Sequence, residues 1–270
     1  MAAMEPAFDS SKCLQDGLCV RVCPTGRIEL GEDKRPSPVA DLRCLHCGHC
    51  TAACPAGAIS QGEGEIEPLP RDWQLDTDKV AYLLKGRRSI RAFRGEPLEQ
   101  ETIATMIRVA QYAPSGHNSQ PLAWTVISAR SEVRRIVETT AMWMRQVVAA
   151  GSPLAVALGL PKVLADWDRG IDSICRQAPH LIIAHAPASL QSGAHAAAIA
   201  MTYLDLAGKP LGAGTCWAGF VLVGAGASPE VHAALGLPAG QRLADIVMAG
   251  RPAVAYRRIP QRNQPRIEWR

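Results

Sequence analysis

The feature that most constrains this sequence is a run of four cysteines, Cys44, Cys47, Cys50 and Cys54, spaced C-x2-C-x2-C-x3-C and followed by Pro55. Three thiolates that lie two residues apart can wrap one face of an iron–sulfur cubane. The fourth cysteine, which precedes proline, ligates the other cluster in two-cluster ferredoxins. One such run therefore predicts a second run elsewhere in the chain.

The second run lies upstream and repeats the same frame with one exception. Cys13, Cys19 and Cys23 occupy three of its positions, and Asp16 stands where the second cysteine belongs. Both runs end in Cys-Pro and continue into a short hydrophobic turn, which marks an internal repeat. Because a carboxylate is a harder ligand than a thiolate, an iron at Asp16 should be held less firmly. The alternative is that Asp16 does not ligate and that water or nothing fills this corner.

This segment, roughly residues 9–60, resembles a bacterial-type two-cluster ferredoxin, and the resemblance implies that the two runs exchange ligands. One 4Fe-4S cluster would be held by Cys13, Asp16, Cys19 and Cys54, and the other by Cys44, Cys47, Cys50 and Cys23. We expect the cluster at Asp16 to lose one iron on oxidation and to become a 3Fe-4S cluster.

Two other uses of these cysteines fit less well. Zinc sites usually pair two separate C-x2-C knuckles and need no third cysteine in the same run before a proline. Disulfides are disfavoured because the seven cysteines between residues 13 and 54 are an odd number and no secretory signal precedes them. The clusters, together with unpaired Cys175 and Cys216, favour a reducing compartment, so we expect a cytoplasmic protein.

Composition indicates an ordinary globular remainder. The 270 residues are 47% hydrophobic, which suffices for a small metal-held module and one domain with its own core. The formal charge of +4 is spread along the chain and indicates no nucleic-acid partner. Apolar stretches such as 217–227 are shorter than the ~20 residues that span a bilayer, which argues against a membrane partner. We expect an iron–sulfur domain over 1–62, a linker over 63–78 and a second domain over 79–270.

Hydrophobic periodicity outlines the second domain. It predicts helices over 76–86, 97–113, 131–150 and 195–206, and strands over 122–128, 180–186 and 243–250. The segment 151–175 is the least regular, and we expect its residues to set substrate specificity.

Two motifs flank the helix over 97–113. In Arg87-Arg88-Ser89-Ile90-Arg91, three arginines and a hydroxyl lie within five residues. They could simply complement a helix dipole, but guanidinium groups also bind phosphate oxygens bidentately. The second motif is the loop over 113–121, where Pro, Ser, Gly and Asn would usually form just a turn. Its Asn118 and Gln120 could also pair with a planar heterocycle.

With these motifs in this order, residues 79–270 resemble the nitroreductase family of flavoproteins. The resemblance implies an α+β fold, with a central mixed sheet surrounded by helices, and an intertwined homodimer with FMN at its interface. Arg87, Arg88 and Ser89 would hold the FMN phosphate and ribityl chain, and Arg91 would lie near the pyrimidine end of the flavin. The partner subunit would contact the same flavin through Pro114, Ser115, Gly116, Asn118 and Gln120.

Two later segments extend the resemblance. The glycine-rich stretch before Trp217 could be only a tight turn. In the functional interpretation, the backbone N–H groups of Ala213, Gly214 or Thr215 approach flavin N5 and O4. Arg258, which belongs to a basic element before Pro260, would be a second phosphate ligand.

Together the two resemblances predict an oxidoreductase that passes electrons between iron–sulfur clusters and FMN. The expected acceptor is a small organic molecule, namely a nitro compound, a quinone or an activated alkene. No catalytic side chain is expected, because flavin N5 delivers the hydride. The electron donor would be an external ferredoxin or NAD(P)H, which would stack on the flavin because the chain lacks a GxGxxG motif. Alternatives are a flavin-dependent dehydrogenase or reductive dehalogenase, an electron carrier without small-molecule turnover, and a redox sensor.

Overall fold

The computed structural model describes residues 5–62, 66–70, 72 and 74–270, which form two compact units. Unit 1 comprises Met1–Gln74 together with Ser115–Ser119, and unit 2 comprises Leu75–Pro114 and Gln120–Arg270. The expected linker over 63–78 lies partly outside the described residues, so its bounds stay a prediction.

Unit 1 is built from short elements around the cysteines. One short helix lies within each motif, α1 (Leu18–Arg21) in the first and α2 (His49–Ala53) in the second. Two antiparallel pairs complete the unit, formed by β1 (Ala7–Phe8) with β4 (Ile59–Ser60) and by β2 (Ile28–Leu30) with β3 (Pro36–Pro38). Its buried apolar cluster consists of Cys19, Ile28 and Ile59. So small a core agrees with a module that needs its metal to stay folded.

The two cysteine motifs share one backbone conformation. Gln15 and Gly17 have φ values of 58° and 69°, and His46 and Gly48, at the equivalent positions, have 51° and 70°. Each glycine lies in the left-handed region immediately before a short helix, a conformation that glycine adopts without steric cost. The repeat read from the sequence is therefore also a repeat in three dimensions, and Asp16 takes the place of a cysteine in it.

Unit 2 alternates helices and strands. Its helices are α3 (Thr77–Gly86), α4 (Gln100–Ala110), α5 (Arg130–Ala149), α6 (Pro153–Ala157), α7 (Leu160–Asp168), α8 (Gly193–Gly208), α9 (Gly219–Ala227) and α10 (Pro229–Ala234). Its strands are β5 (Ala123–Ile127), β6 (His180–Pro187), β7 (Gly214–Trp217) and β8 (Gln241–Gly250), and they form one sheet in the order β5-β6-β8-β7.

Side chains at helix starts explain several boundaries. The Asp76 carboxylate accepts hydrogen bonds from the first turn of α3, and Ser228 caps α10 with proline at the first helical position. The irregular segment expected over 151–175 is instead largely helical. Ser152 caps α6 in the same Ser-Pro arrangement as Ser228, and Gly159 in the left-handed conformation separates α6 from α7.

The central strands are buried on both faces, which places helices on each side of the sheet. On β6, Leu181 and Ile183 belong to a core shared with α5, α7 and α9. The alternate residues Ile182 and Ala184 belong to a second core shared with α4 and α8. Alternation along a strand sends successive side chains to opposite faces. The α+β fold class is therefore confirmed.

The strand pairing differs from the implied mixed sheet in one respect. All three pairings among the described strands of unit 2 are antiparallel. No parallel neighbour therefore occurs among the described strands of unit 2.

Helix α8 presents two surfaces. Ala197, Met201 and Leu204 are fully buried in the second core, whereas His195 and Tyr203 are exposed in the single chain. The face of α8 that carries His195 and Tyr203 is therefore open to solvent in the described part of the single chain. No helix among the described residues is long and apolar enough to cross a bilayer.

Candidate functional site

A cavity of about 110 Å³ in unit 1 collects the ligand set predicted for the first cluster. Cys13, Asp16, Cys19 and Cys54 all line it. Cys54 belongs to the second motif and the other three belong to the first, so the two motifs exchange a residue here. The apolar side chains of Leu14, Leu30 and Ile59 line the same cavity, and of these Ile59 is buried.

A smaller cavity of about 20 Å³ collects the other set. Cys44, Cys47 and Cys50 line it together with Cys23, which comes from the first motif. The structure thus brings together both groups of four that the resemblance implied. Among the described residues, no three His, Cys, Asp or Glu side chains converge closely enough to hold a single metal ion.

Backbone amides point at the sulfur atoms of the predicted ligands. The N–H groups of Gln15 and Ala58 lie 3.4 and 3.3 Å from Cys13 Sγ and Cys54 Sγ. Hydrogen bonds of this kind stabilise thiolates and help to set the reduction potential of an iron–sulfur cluster. Burial raises the pKa of Cys23, but hydrogen bonds led by Thr25 outweigh it and bring the pKa below its usual value. This donor chemistry fits iron–sulfur clusters.

Asp16 is both a cavity residue and a helix-start residue. Its Oδ1 accepts a hydrogen bond from Leu18 N at 3.0 Å, in the first turn of α1. The carboxylate has a second oxygen, so this bond leaves one oxygen for another partner. Iron ligation by Asp16 therefore stays a prediction.

In unit 2, the basic motif after α3 carries an unsatisfied buried donor. Arg88 Nη2 donates to the carbonyl of Lys85, whereas Arg88 Nε is buried and has no hydrogen-bond partner among the described residues. A buried N–H without an acceptor is costly, and a bound anion would satisfy it. Ser89, next along the chain, is half-buried. An anionic group such as the FMN phosphate fits this arrangement, because a guanidinium offers several donors to phosphate oxygens.

Arg87 has a partner that the sequence did not suggest. Its Nη1 lies 3.3 Å from Oδ2 of Asp205, on α8, whose side chain is only 4% exposed. The other carboxylate oxygen accepts a hydrogen bond from the Thr215 hydroxyl at 2.7 Å, on β7. The predicted phosphate motif and the predicted flavin-approaching motif therefore meet at one buried carboxylate.

Strand β7 and the basic motif also touch directly. Ile90 N donates to Thr215 O at 2.9 Å. A Cβ on Gly214 would lie 2.4 Å from Ile90 Cγ1 and 3.0 Å from Pro252 Cγ. This contact within the chain is enough to require a glycine at position 214, whether or not a flavin approaches. Ala213 and Thr215, on either side, are buried.

The two remaining arginines of the predicted flavin site, Arg91 and Arg258, are both exposed. The segment around Arg91 pairs with residues after β8, through Ala253 N to Ala92 O at 2.9 Å. Arg91 itself is exposed, and so is Arg258 in the stretch without regular structure near the C-terminus. Their flavin contacts stay predictions.

The loop over 114–120 divides between the two units. Pro114 and Gln120 belong to unit 2, while Ser115, Gly116 and Asn118 belong to unit 1. Within unit 1, Asn118 Nδ2 donates to the carbonyl of His46 at 2.9 Å, in the loop between the first two cysteines of the second motif. Asn118 and Gln120 have positive φ values of 52° and 41°. Non-glycine residues in this region are strained and are often found at functional sites.

Sequence reasoning missed two charged residues at the basic motif. Asp205 is the one acidic residue of a mostly apolar helix, a pattern that could have pointed to a buried partner. Lys209, just beyond the end of α8, places its Nζ 2.8 Å from the position that a Cβ on Gly86 would take. Nothing local in the sequence indicates that contact.

Two family profiles match the chain. Residues 84–251 match the nitroreductase family, and residues 5–67 match a 4Fe-4S dicluster domain. Among curated proteins, the chain is 28% identical over 146 residues to nitroreductase NfnB of Mycolicibacterium smegmatis (strain ATCC 700084 / mc(2)155). That match covers 45% of this chain and 62% of the relative, so the chain spans less than two thirds of the relative's length.

Solved structures support the same fold. A nitroreductase with bound FMN from Bacteroides fragilis NCTC 9343 superposes with a TM-score of 0.55 at 21% identity, covering 71% of this chain and all of that one. An iodotyrosine deiodinase bound to FMN and 3-iodo-L-tyrosine superposes with a TM-score of 0.51 at 23% identity. The match covers 71% of this chain and 98% of the deiodinase chain. NfnB from Mycobacterium smegmatis in complex with NADPH superposes with a TM-score of 0.51 at 24% identity. The match covers 72% of this chain and all of the NfnB chain. At these identities the likeness shows the fold alone.

Proposed function

Because the chain belongs to the nitroreductase family, we propose that it is an FMN-dependent oxidoreductase that exchanges electrons with its own iron–sulfur clusters. The observation that carries the proposal is that one chain contains two cavities lined by cysteines from both motifs and an unsatisfied buried arginine donor in a nitroreductase fold. Iron–sulfur ligands and a phosphate-binding motif in one chain favour electron transfer between the two cofactors.

FMN would supply chemistry that no side chain here offers, because a flavin accepts or gives one or two electrons. The contribution of the protein is binding and orientation. Arg87, Arg88 and Ser89 would bind the phosphate and the ribityl chain, with Arg258 as a further cation. The backbone N–H groups of Ala213, Gly214 or Thr215 would donate to the polar edge of the ring system.

The cysteine motifs would hold two 4Fe-4S clusters with exchanged ligands. Support comes from the cavities, each of which takes three of its four predicted ligands from one motif and the fourth from the other. The amides that face Cys13, Cys44 and Cys54 would hold these sulfur atoms as thiolates. Asp16 would be the weak corner, so we propose that its cluster converts to a 3Fe-4S form on oxidation.

We also propose a homodimer with FMN at its interface. Support comes from α8, whose exposed face includes Tyr203 and is apolar enough to pack against a second copy. Ser115, Gly116 and Gln120 would then reach the flavin of the partner subunit. A single chain that binds FMN fully as a monomer would contradict this part of the proposal.

The acceptor would be a nitro compound, a quinone or an activated alkene, and the donor would be reduced ferredoxin or NAD(P)H. NfnB crystallised with NADPH supports a nicotinamide donor. The test is anaerobic stopped-flow reduction of the purified protein by NADH, NADPH and reduced ferredoxin, followed by mixing with a panel of acceptors. We expect one donor to reduce the protein and one acceptor class to reoxidise it rapidly. No reoxidation by any acceptor would favour an electron carrier instead.

A second candidate function is reductive dehalogenation on the same fold. It is supported by the likeness to the deiodinase that binds 3-iodo-L-tyrosine. Halogenated phenols in the same acceptor panel separate the two functions, because only a dehalogenase releases halide during turnover. Halide release without reduction of nitro compounds or quinones would replace the proposed function by this one.

A further inference from the structure

The structure points to Asp205 as a residue that positions the phosphate-binding arginine. We propose that Asp205 acts through Arg87 to orient its guanidinium toward the FMN phosphate, which makes Asp205 a positioning residue for cofactor binding. The inference rests on the proposed function, because it takes Arg87 to be a phosphate ligand. Asp205 itself would not touch the flavin.

The first step concerns the burial of the carboxylate. The Asp205 side chain is 4% exposed, and Asp205 is the one acidic residue of α8. An ionised carboxylate in such a place is strongly unfavourable unless cations or hydrogen-bond donors compensate it. It has two such partners, the Arg87 guanidinium and the Thr215 hydroxyl. An apolar residue could pack at this position without the cost of burying a charge. The carboxylate is therefore explained by the groups that it binds, Arg87 and Thr215.

The second step concerns the arginine. A free arginine side chain samples many rotamers, and restricting it costs conformational entropy when it binds a ligand. Asp205 accepts from Arg87 Nη1 and thereby restricts the guanidinium before the ligand arrives. The arginine remains 32% exposed and has five N–H donors, so donors remain for a phosphate. Preorganisation of this kind raises affinity by lowering the entropy cost of binding.

The third step concerns the neighbouring strand. Thr215, whose hydroxyl binds the other oxygen of Asp205, accepts the N–H of Ile90 through its own carbonyl. One carboxylate therefore links α8, strand β7 and the basic motif. A shift of any of these three would move Arg87 relative to the Thr215 backbone, which the proposed function assigns to the flavin ring.

The experiment compares FMN with riboflavin, which has the same ring and ribityl chain but no phosphate. Purified holoprotein is equilibrated with defined mixtures of the two flavins, and the ratio bound is measured by chromatography after protein recovery. The variants are Arg87→Ala, Asp205→Asn and the double variant. Asp166→Asn is the matched control, because Asp166 is also a buried carboxylate held by Lys162 and Arg169.

We expect Arg87→Ala to lower the bound FMN-to-riboflavin ratio roughly 10- to 100-fold, the value of one charge-assisted hydrogen bond. Asp205→Asn should lower it in the same direction but by a smaller factor, because a neutral amide oxygen accepts from the Arg87 guanidinium more weakly than a carboxylate oxygen does. The double variant should lose no more than Arg87→Ala alone, since both changes act on one contact. Asp166→Asn should leave the ratio unchanged even if it lowers stability.

Two outcomes overturn the inference, and they are distinguishable. If Arg87→Ala lowers the ratio but Asp205→Asn leaves it unchanged or raises it, Asp205 does not position Arg87. If Arg87→Ala leaves the ratio unchanged, the phosphate assignment in the proposed function fails and the inference fails with it. Should Asp205→Asn not fold, Thr215→Val serves instead, since it loosens the same carboxylate and should lower the ratio by a smaller factor.

Discussion

Replacing Gly214 by alanine tests how tightly strand β7 packs against the basic motif. The added Cβ would lie 2.4 Å from Ile90 Cγ1, about 1 Å short of an ordinary carbon contact. Ile90 is buried and its N–H is bonded to Thr215 O, so neither side can move freely. Overpacking of this kind costs about 1–3 kcal/mol. We expect the upper half of that range, because Pro252 Cγ is also 3.0 Å away.

The assay is urea unfolding followed by circular dichroism under anaerobic conditions. Ile90→Ala removes the clashing carbon, so Gly214→Ala combined with Ile90→Ala should be less destabilised than the sum of the two single variants by about 1 kcal/mol or more. Gly226→Ala is the matched control, because its Cβ would meet no atom within 4 Å inside α9. Helix propensity predicts that it stabilises by about 0.5–1 kcal/mol. A Gly214→Ala variant as stable as the wild type, or additive effects in the double variant, would refute the packing argument.

Three other predictions follow from single contacts. Asp16→Cys should abolish the three-iron EPR signal expected after mild oxidation, and a signal that persists in the variant would exclude Asp16 as the weak corner. Asn118→Ala should make the potential of the cluster at the second motif more negative in an EPR redox titration. Asn118 Nδ2 donates to the carbonyl of Leu45, whose peptide N–H at His46 faces Cys44 Sγ, so that peptide loses an anchor; an unchanged potential would contradict this. Burial lowers the pKa of His180, whose Nε2 accepts the N–H of Leu98, so the folded state keeps it neutral and stability should fall as the pH drops below about 6.5. His180→Asn should lack that slope in pH-dependent unfolding, and an identical slope would assign it to other groups.

The iron–sulfur half could be predicted from the sequence because its chemistry is local. Ligand spacing, the proline after each last cysteine and the repeat are all properties of neighbouring residues. The left-handed glycines Gly17 and Gly48 then give both motifs the same backbone turn. The start of α3 could also be predicted from the sequence, because the Asp76 side chain caps its first turn by contacting backbone N–H groups only two and three residues away.

The buried contacts of the candidate flavin site could not be predicted, because they join residues that are far apart in the sequence. Arg87 and Asp205 are 118 positions apart, so periodicity could show that α8 is apolar but not what its one acid binds. The sequence offered a tight turn or flavin contact for the glycine-rich stretch before Trp217, whereas the contact of Gly214 with Ile90 within the chain already requires a glycine there. The helices α6 and α7 were missed because the segment has mixed polarity, although the cap at Ser152 is a local signal that could have been used.

The most direct test of the central claim is a rapid-mixing experiment on anaerobically purified, fully reduced protein. Absorbance is recorded at wavelengths where the iron–sulfur clusters and the flavin separate, after mixing with one electron acceptor. We predict that both chromophores reoxidise within the same turnover. Reoxidation of the flavin while the clusters stay reduced, or a preparation that lacks either chromophore, would contradict an electron route between the two cofactors.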